Sequence, residues 1–420
     1  MRLRSLLPLG LLLASTFALA ITSASAPAAQ PFIEKTDLFE AGQDGYALYR
    51  IPGIVVTNMG TILAYCEARK SGRGDWGAID ILLRRSTDAG KTWSPPKRIA
   101  LVKGPFAKNP VALAQKLASP ADITYNNPVA IVDRQAGVVH FIFCLEYMRS
   151  FYMRTEDDGQ TFSEPVEITP AFEEFRRDYD WRVLATGPGH GIQLSNGRLL
   201  VPVWLSTGTG DHAHRPSVAS VIYSDDHGKS WRRGEIALPN SGEFVNPSET
   251  LAVQLADGRV MLNARSESKA HRRLITYSRD GATRWSRPAF HPQLLEPICM
   301  ASLVRLTEKR TYGRNRLLFA NPDNLARADG KTVPGSPRDR RNLTIKLSYD
   351  EGQTFPVSKP LEPGFAGYSD LAVGPGGAIY CFYERGVLSV DHFKSACLTL
   401  ARFNLEWLTG GKDSLTAKRR

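Results

Sequence analysis

The sequence predicts an all-β protein, a β-propeller read as one domain over residues 35–408. Three observations carry that reading. A short turn motif recurs along the chain, strand-like segments precede its clearest copies, and long amphipathic helical patterns are hard to find. The clearest copy is Ser86-Thr87-Asp88-Ala89-Gly90-Lys91-Thr92-Trp93. Two others run from Ser224 to Trp231 and from Ser348 to Phe355. A weaker copy runs from Thr155 to Phe162, and a degenerate one from Ser278 through Asp280 to Trp285. Their aspartates recur at intervals of roughly 55 to 70 residues, and such self-similarity marks a repeat architecture.

Each copy has a local physical cause. An Asp side chain can bond the amides of its own turn, and Gly supplies positive φ at no steric cost. Strand-like segments at 79–84, 218–223 and 343–347 lead into three of the copies, so each reads as the tip of a hairpin. Further strands are expected at 61–65, 138–144, 199–205, 260–264, 274–277 and 378–383, several after turns such as Asn196-Gly197 and Asp257-Gly258. Radial repetition of four-stranded sheets protects strand edges and leaves a shared central mouth for a site.

The first 28 residues read differently. Met1-Arg2-Leu3-Arg4 is basic, residues 6–20 are almost wholly apolar, and Ala18-Leu19-Ala20 offers small residues for cleavage. This is the pattern of a secretory signal peptide, too short for a membrane span, and it predicts a secreted or periplasmic protein. Residues 409–420 read as a basic tail ending in Lys418-Arg419-Arg420. The five cysteines, Cys66, Cys144, Cys299, Cys381 and Cys397, mostly sit in apolar strand sequence and lack metal-binding spacing. His212-Ala213-His214 reads as a surface loop. The formal net charge is +11, but without basic blocks or a nucleic-acid module an acidic small substrate fits better than nucleic acid.

Specific residues narrow the class. Tyr49-Arg50-Ile51-Pro52-Gly53 near the start, followed by Asp-box turns, resembles the sialidase (neuraminidase) family with BNR repeats. The resemblance runs from about Tyr49 to about Arg385. It implies a six-bladed β-propeller and an exo-α-sialidase that removes terminal sialic acids from glycans with retention, through a tyrosyl-sugar intermediate and without metal or cofactor.

The resemblance also implies roles. Arg50, Arg265 in Asn263-Ala264-Arg265-Ser266, and Arg340 in Arg340-Arg341-Asn342-Leu343-Thr344 would clamp the substrate carboxylate, with Arg341 as the alternative third arginine. A guanidinium stays charged and pairs two N–H groups with a carboxylate, which Lys cannot do. Glu384 would orient Arg50, and Tyr368 would be the nucleophile with Glu249 as its base. A carboxylate nucleophile would be repelled by the sugar's own carboxylate, whereas a phenol approaches neutral. Asp75, in the Gly-rich stretch Ser71-Gly72-Arg73-Gly74-Asp75-Trp76, would be the acid/base, with Asp80 as its competitor. Glu67 and Arg69 would line the pocket, Arg69 against a sugar hydroxyl. Gly187-Pro188-Gly189-His190-Gly191 reads as a structural turn near it. Residues 103–125 read as an inserted loop that covers the mouth or decorates a sheet. Transfer of the sialyl group to another acceptor, and a non-catalytic glycan-binding propeller, are the rival readings; the latter has no need of a Tyr–Glu pair.

Overall fold

A computed structural model describes residues 30–210, 212–331, 338–388 and 394–415. The expected signal peptide and residues 416–420 of the expected tail lie outside the described residues. The fold is all-β, and its strands form five hydrogen-bonded sheets among the described residues. The first joins Leu48–Val56, Ile62–Arg69, Ile79–Ser86 and Lys97–Arg98 in an antiparallel meander. The second joins Tyr125–Asp133, Val138–Leu145, Arg149–Thr155 and Val166–Glu167, with Gly189–His190 added in parallel. The third is built on Val183–Thr186, Leu199–Ser206, Ser217–Ser224 and Arg232–Arg233, and the fourth on Thr250–Gln254, Val260–Ala264, Arg272–Ser278 and Ala289–Leu295.

The last sheet has seven strands because one strand serves two meanders. Val357–Val373 pairs with Arg341–Ser348 along its first half, then with Ile379–Arg385 from Ala366 onward. Its far edge is Ile33–Glu40, which pairs with Cys397–Phe403 and so ties the two ends of the described chain together. Contacts continue past the sequence-based boundary at 408. Arg316 pairs with Asp413 at 2.7 Å, and Tyr349 donates to the same carboxylate at 2.9 Å, so residues 409–415 pack on the domain. Among the described residues, no helix is long and apolar enough to cross a membrane.

The five Asp boxes adopt one geometry. In the first, Ser86 Oγ donates to Asp88 at 2.8 Å while accepting from Gly90 N at 2.9 Å, and the second carboxylate oxygen takes the Thr92 hydroxyl at 2.6 Å. The degenerate copy repeats it, Ser278 and Thr283 both donating to Asp280 at 2.8 and 2.7 Å. Each box links the third and fourth strands of a meander, as the hairpin-tip reading requires. Glycine is needed twice over in the box that ends at Trp231. Gly228 has φ 83°, and a Cβ there would meet Tyr152 and His140 of the preceding sheet at 2.8–2.9 Å. The boxes therefore dock each sheet on its neighbour. Between the second and third sheets, Val129, Ile142, Leu184, Leu199 and Val201 fill the gap, each such side chain contributing about 1.5–3 kcal/mol through burial.

The opposite ends of the strands carry the candidate site residues. There the leading strands are bulged, with register shifts between Arg50 and Gly53, Asn126 and Val129, and Ala366 and Ser369. Bulges re-aim side chains, and they cluster beside functional sites. Four of the five cysteines are buried, Cys397 is partly so, and all five are free thiols.

Candidate active site

Arg50 owes its place to a strained turn. Ile51 has φ 58°, a left-handed conformation rare for a β-branched residue, so surrounding contacts must hold it. Two are visible. Glu384 accepts from the Ile51 amide at 3.2 Å and from Arg50 Nε at 2.9 Å. Gly53 lies so close to the Tyr65 ring that a Cβ would stand 2.1 Å from it. Glu384 also accepts from the Tyr368 amide at 3.0 Å, so one buried carboxylate registers both the Arg50 and Tyr368 strands.

Tyr368 lies at the centre of the cluster. Its hydroxyl donates to Glu249, and Arg265 Nη1 donates to the same hydroxyl at 2.8 Å and to Glu249 at 2.6 Å. The guanidinium carbons of Arg50 and Arg340 each lie 5.0 Å from the Tyr368 ring centre, close enough for cation–π attraction. Burial pushes the phenol pKa up and the Glu249 charge adds to this, against the opposing pull of Arg265, Arg340 and Arg50. The resting group is a neutral phenol hydrogen-bonded to a carboxylate that can take its proton.

Arg340 lines the same cavity and donates to the Ile298 carbonyl at 3.0 Å. Arg341 does not line it; it pairs with Asp339 at 2.6 Å beside Phe365. The loop supplying Ile298 is itself fixed. Fully buried Arg273 pairs with Glu296, which accepts from the Cys299 amide at 2.9 Å, and Arg273 also bonds Asn263 at 2.7 Å.

Asp75 stands at the rim, its side chain 40% exposed, paired with Arg69 at 2.8 Å and 3.9 Å from Arg50. Arg69 also pairs with buried Glu67 at 2.7 Å. Partial burial would raise the Asp75 pKa, but the Arg69 and Arg50 guanidiniums outweigh it and hold the group below the ordinary carboxylate range. Asp80 lies elsewhere, accepting from Tyr46 at 2.8 Å and facing Lys70 and Arg98 at 3.4 Å. The chain thus brings Arg50, Asp75, Glu249, Arg265, Arg340 and Tyr368 to one cavity of about 200 Å³, with Glu384 and Arg69 directly behind it. A larger cavity of about 810 Å³ is lined by Val132, Gln193, Gln254, Val304 and Val373 and shares none of these groups.

The surface reading of His212-Ala213-His214 holds for His212, which is exposed, and is corrected for His214, which is half-buried. Both histidines line the same cavity, and His214 packs against Trp76, Tyr147 and Trp204 with ring centres 5.1–5.5 Å apart. Burial lowers the His214 pKa to about 4, with Asp75 opposing the shift, so this imidazole is neutral near pH 7. Sequence reasoning also missed Tyr147, Trp204 and the chain Arg215–Glu267–Asn246, whose links are 2.6 and 2.9 Å. Arg215 arrives on the same loop as the histidines, and no local motif marks any of them. The Gly187–Gly191 run does not line this cavity: His190 and Gly191 line the larger one, and His190 donates to buried Asp370 at 2.7 Å, two residues beyond Tyr368. The 103–125 insertion carries a short helix, Pro110–Ala114, packed beside the histidine loop through Gln115 bonds to Gly208 and Gly210 at 3.2 Å. Among the described residues, no three His, Cys, Asp or Glu side chains are placed to hold a metal ion.

This geometry combines three arginines, a phenol bonded to a carboxylate, and a second carboxylate at the rim. Comparison with known proteins agrees with it. The model of the BNR repeat-like domain matches residues 108–381. A sialidase from Micromonospora viridifaciens is 30% identical over 412 residues, covering 91% of this chain and 56% of its own. A sialidase from Bacteroides fragilis is also 30% identical, covering 83% and 62%. The chain belongs to the BNR-repeat sialidase family. It spans little more than half the length of these curated relatives. Among solved structures, a Hadza microbial sialidase superimposes with a TM-score of 0.69 at 27% identity, over 89% of this chain and 69% of that one. An intramolecular trans-sialidase from Ruminococcus gnavus shares the fold, with a TM-score of 0.68 at 17% identity over 89% and 98% of the two chains.

Proposed function

We propose that this protein is a secreted or periplasmic exo-α-sialidase acting on sialylated glycans by a retaining, two-step mechanism. The observation that carries the proposal is the Tyr368–Glu249–Arg265 cluster, set among two further guanidiniums and facing a carboxylate at the rim. A glycan-binding module would need the arginines but not a phenol bonded to a base. In the first step the Tyr368 oxygen attacks the anomeric carbon while its proton passes to Glu249. Asp75 protonates the departing glycosidic oxygen as that bond breaks. In the second step Asp75 takes a proton from water, whose oxygen displaces the tyrosyl oxygen, and Tyr368 recovers its proton from Glu249. Arg50, Arg265 and Arg340 hold the sugar's carboxylate, and Arg265 also faces the phenolic oxygen as charge builds on it. No step calls for a cofactor.

The scaffold we propose is a six-bladed propeller. Four sheets supply four blades, and the shared strand Val357–Val373 completes two more. The pairing of Ile33–Glu40 with Cys397–Phe403 would then close the ring. The relation in fold to a trans-sialidase keeps transfer as a second reading. The deciding experiment is release of an aryl alcohol from an aryl α-sialoside by protein starting at about Gln30, with and without chelator. Folded protein that releases no sugar from any α-sialoside sinks the enzyme reading. A product other than free sialic acid selects transfer.

A further inference from the structure

The 103–125 insertion turns back on the loop that carries Asp75. That loop, residues 71–78, joins the strands Ile62–Arg69 and Ile79–Ser86. It is rich in glycine, and Gly74 has φ 84°, so its own backbone gives it little stiffness. The last residues of the insertion reach it. The Thr124 hydroxyl donates to the Gly77 carbonyl at 2.7 Å, and the Ile79 amide donates to the Ile123 carbonyl at 3.0 Å. Arg73 faces Asp122 at 3.6 Å, but this pair is largely exposed and adds little. Thr124 is fully buried, so its bond to Gly77 is sheltered from water.

Thr124 is itself held from behind. Its amide donates to Glu146 at 2.8 Å, and its carbonyl accepts from the Glu146 amide at 2.8 Å. Lys108, near the start of the insertion, donates to the same Glu146 oxygen at 2.7 Å. Glu146 is fully buried, and a carboxylate there would be costly without these partners. Glu146 and Tyr147 both take left-handed backbone, φ 57° and 50°, a strained pair that persists only where its surroundings hold it. That turn sets the Tyr147 ring against Trp76, the residue after Asp75, with ring centres 4.5 Å apart. The insertion thus grips the Asp75 loop directly at the Gly77 carbonyl, and indirectly at the Trp76 ring.

We propose that the 103–125 insertion is a brace that fixes the reach of Asp75, with Thr124 as its positioning residue; this rests on the acid/base role given to Asp75. Thr124 does not line the catalytic cavity, so it acts through the loop and not on the sugar. A general acid works only within hydrogen-bond reach of the oxygen it protonates, so displacing the loop weakens proton transfer first. Arg265, Arg340 and Tyr368 stand on or beside strands of other sheets.

The test compares wild type, Thr124→Val and Thr124→Ala on natural sialosides and on aryl sialosides with acidic phenols, which depart without a proton. Both variants remove the hydroxyl, and Thr124→Val keeps the shape. We expect kcat/KM for natural sialosides to fall about tenfold, part of the hundredfold or more that a placed acid contributes, with less than about threefold change on the aryl substrates. Thr124→Ser keeps the hydroxyl and should restore the natural-substrate rate. In an Asp75→Ala background, Thr124→Val should add no further loss, because the group it positions is gone. Equal losses on both substrate classes, or additive losses in the double variant, overturn the brace. Hydrogen exchange of the 71–78 amides reads the loop without activity; it should quicken in Thr124→Val and Thr124→Ala, and unchanged exchange also overturns the brace. Should wild type cleave no sialoside, the sialidase reading fails separately, and exchange alone decides whether the insertion holds the loop.

Discussion

Replacing Tyr368 by Phe isolates the chemistry from the fold. The ring is 5% exposed and keeps both cation–π partners, since they face the ring and not the oxygen. The Glu249–Arg265 pair at 2.6 Å does not pass through the hydroxyl and survives its loss. What disappears is one hydroxyl with two bonds, a stability cost of about 1–2 kcal/mol partly offset by easier burial of Phe. Activity should respond on another scale. Without the nucleophilic oxygen the covalent route is closed, and we expect kcat on an aryl sialoside to fall at least about a thousandfold, which is about 4 kcal/mol at 1.36 per factor of ten. Thermal melting measured beside the kinetics separates the two effects. With wild type and a fluorinated sialosyl fluoride, mass spectrometry should place the adduct on the peptide containing Tyr368. Activity within tenfold of wild type, or an adduct on Glu249, would refute the assignment.

The remaining predictions follow from individual contacts. Arg265→Lys keeps a charge but cannot reach Glu249, Tyr368 and a substrate carboxylate together; it should lose about 2–4 kcal/mol of transition-state stabilisation, read as kcat/KM. Arg340→Ala should abolish carboxylate recognition, whereas Arg341→Ala, against Asp339 and outside the cavity, should change kcat/KM less than about threefold. Asp75→Ala should reduce cleavage of natural sialosides at least about tenfold more than cleavage of aryl sialosides with acidic phenols, which depart without a proton; equal losses would reassign Asp75 to binding. His190 has its pKa lowered by burial but raised further by Asp370, for a net increase. Its stabilisation is therefore complete below the ordinary value of about 6.5 and lost as pH rises through the elevated folded value. The melting-temperature difference between wild type and His190→Gln should shrink from pH 6 to pH 9, and a constant difference would refute the charged pair.

Legibility from sequence followed the range of the forces involved. The Asp boxes were readable because each is closed by residues within a few positions, as Ser86, Asp88, Gly90 and Thr92 are by bonding one another. Arg50, Arg265 and Arg340 could be singled out because each sits in a short segment that resembles a motif of the family, and the structure brings all three to one cavity. The sharing of Val357–Val373 between two meanders was not readable, since nothing local distinguishes a long strand that changes partners at Ala366. His214 was misplaced for a related reason. A His-x-His in a polar loop looks like surface, and its burial comes from Trp76, Tyr147 and Trp204, contributed by three other segments. The polar chain Arg215–Glu267–Asn246 escaped notice likewise, because its members meet only after the third and fourth sheets come together.

The resting state of Asp75 sets a condition on the proposed mechanism. An acid must hold a proton, yet Arg69 at 2.8 Å, with Arg50, keeps this group ionised. The contradiction dissolves if substrate changes those terms. The sugar carboxylate competes for Arg50, which reaches Asp75 only at 3.9 Å, and brings a like charge into the same cavity. A sugar seated in the cavity also removes water from a side chain that is 40% exposed. Removing an opposite charge, adding a like one and desolvating the carboxylate all raise its pKa. His214, neutral near pH 7, adds no fixed positive charge to oppose this. The acid would then be armed by the ligand it serves. The pH dependence of kcat, which reports the bound complex, should accordingly show the acid's limb at higher pH than that of kcat/KM, which reports the free enzyme. Coincident limbs would mean that Asp75 receives its proton by another route.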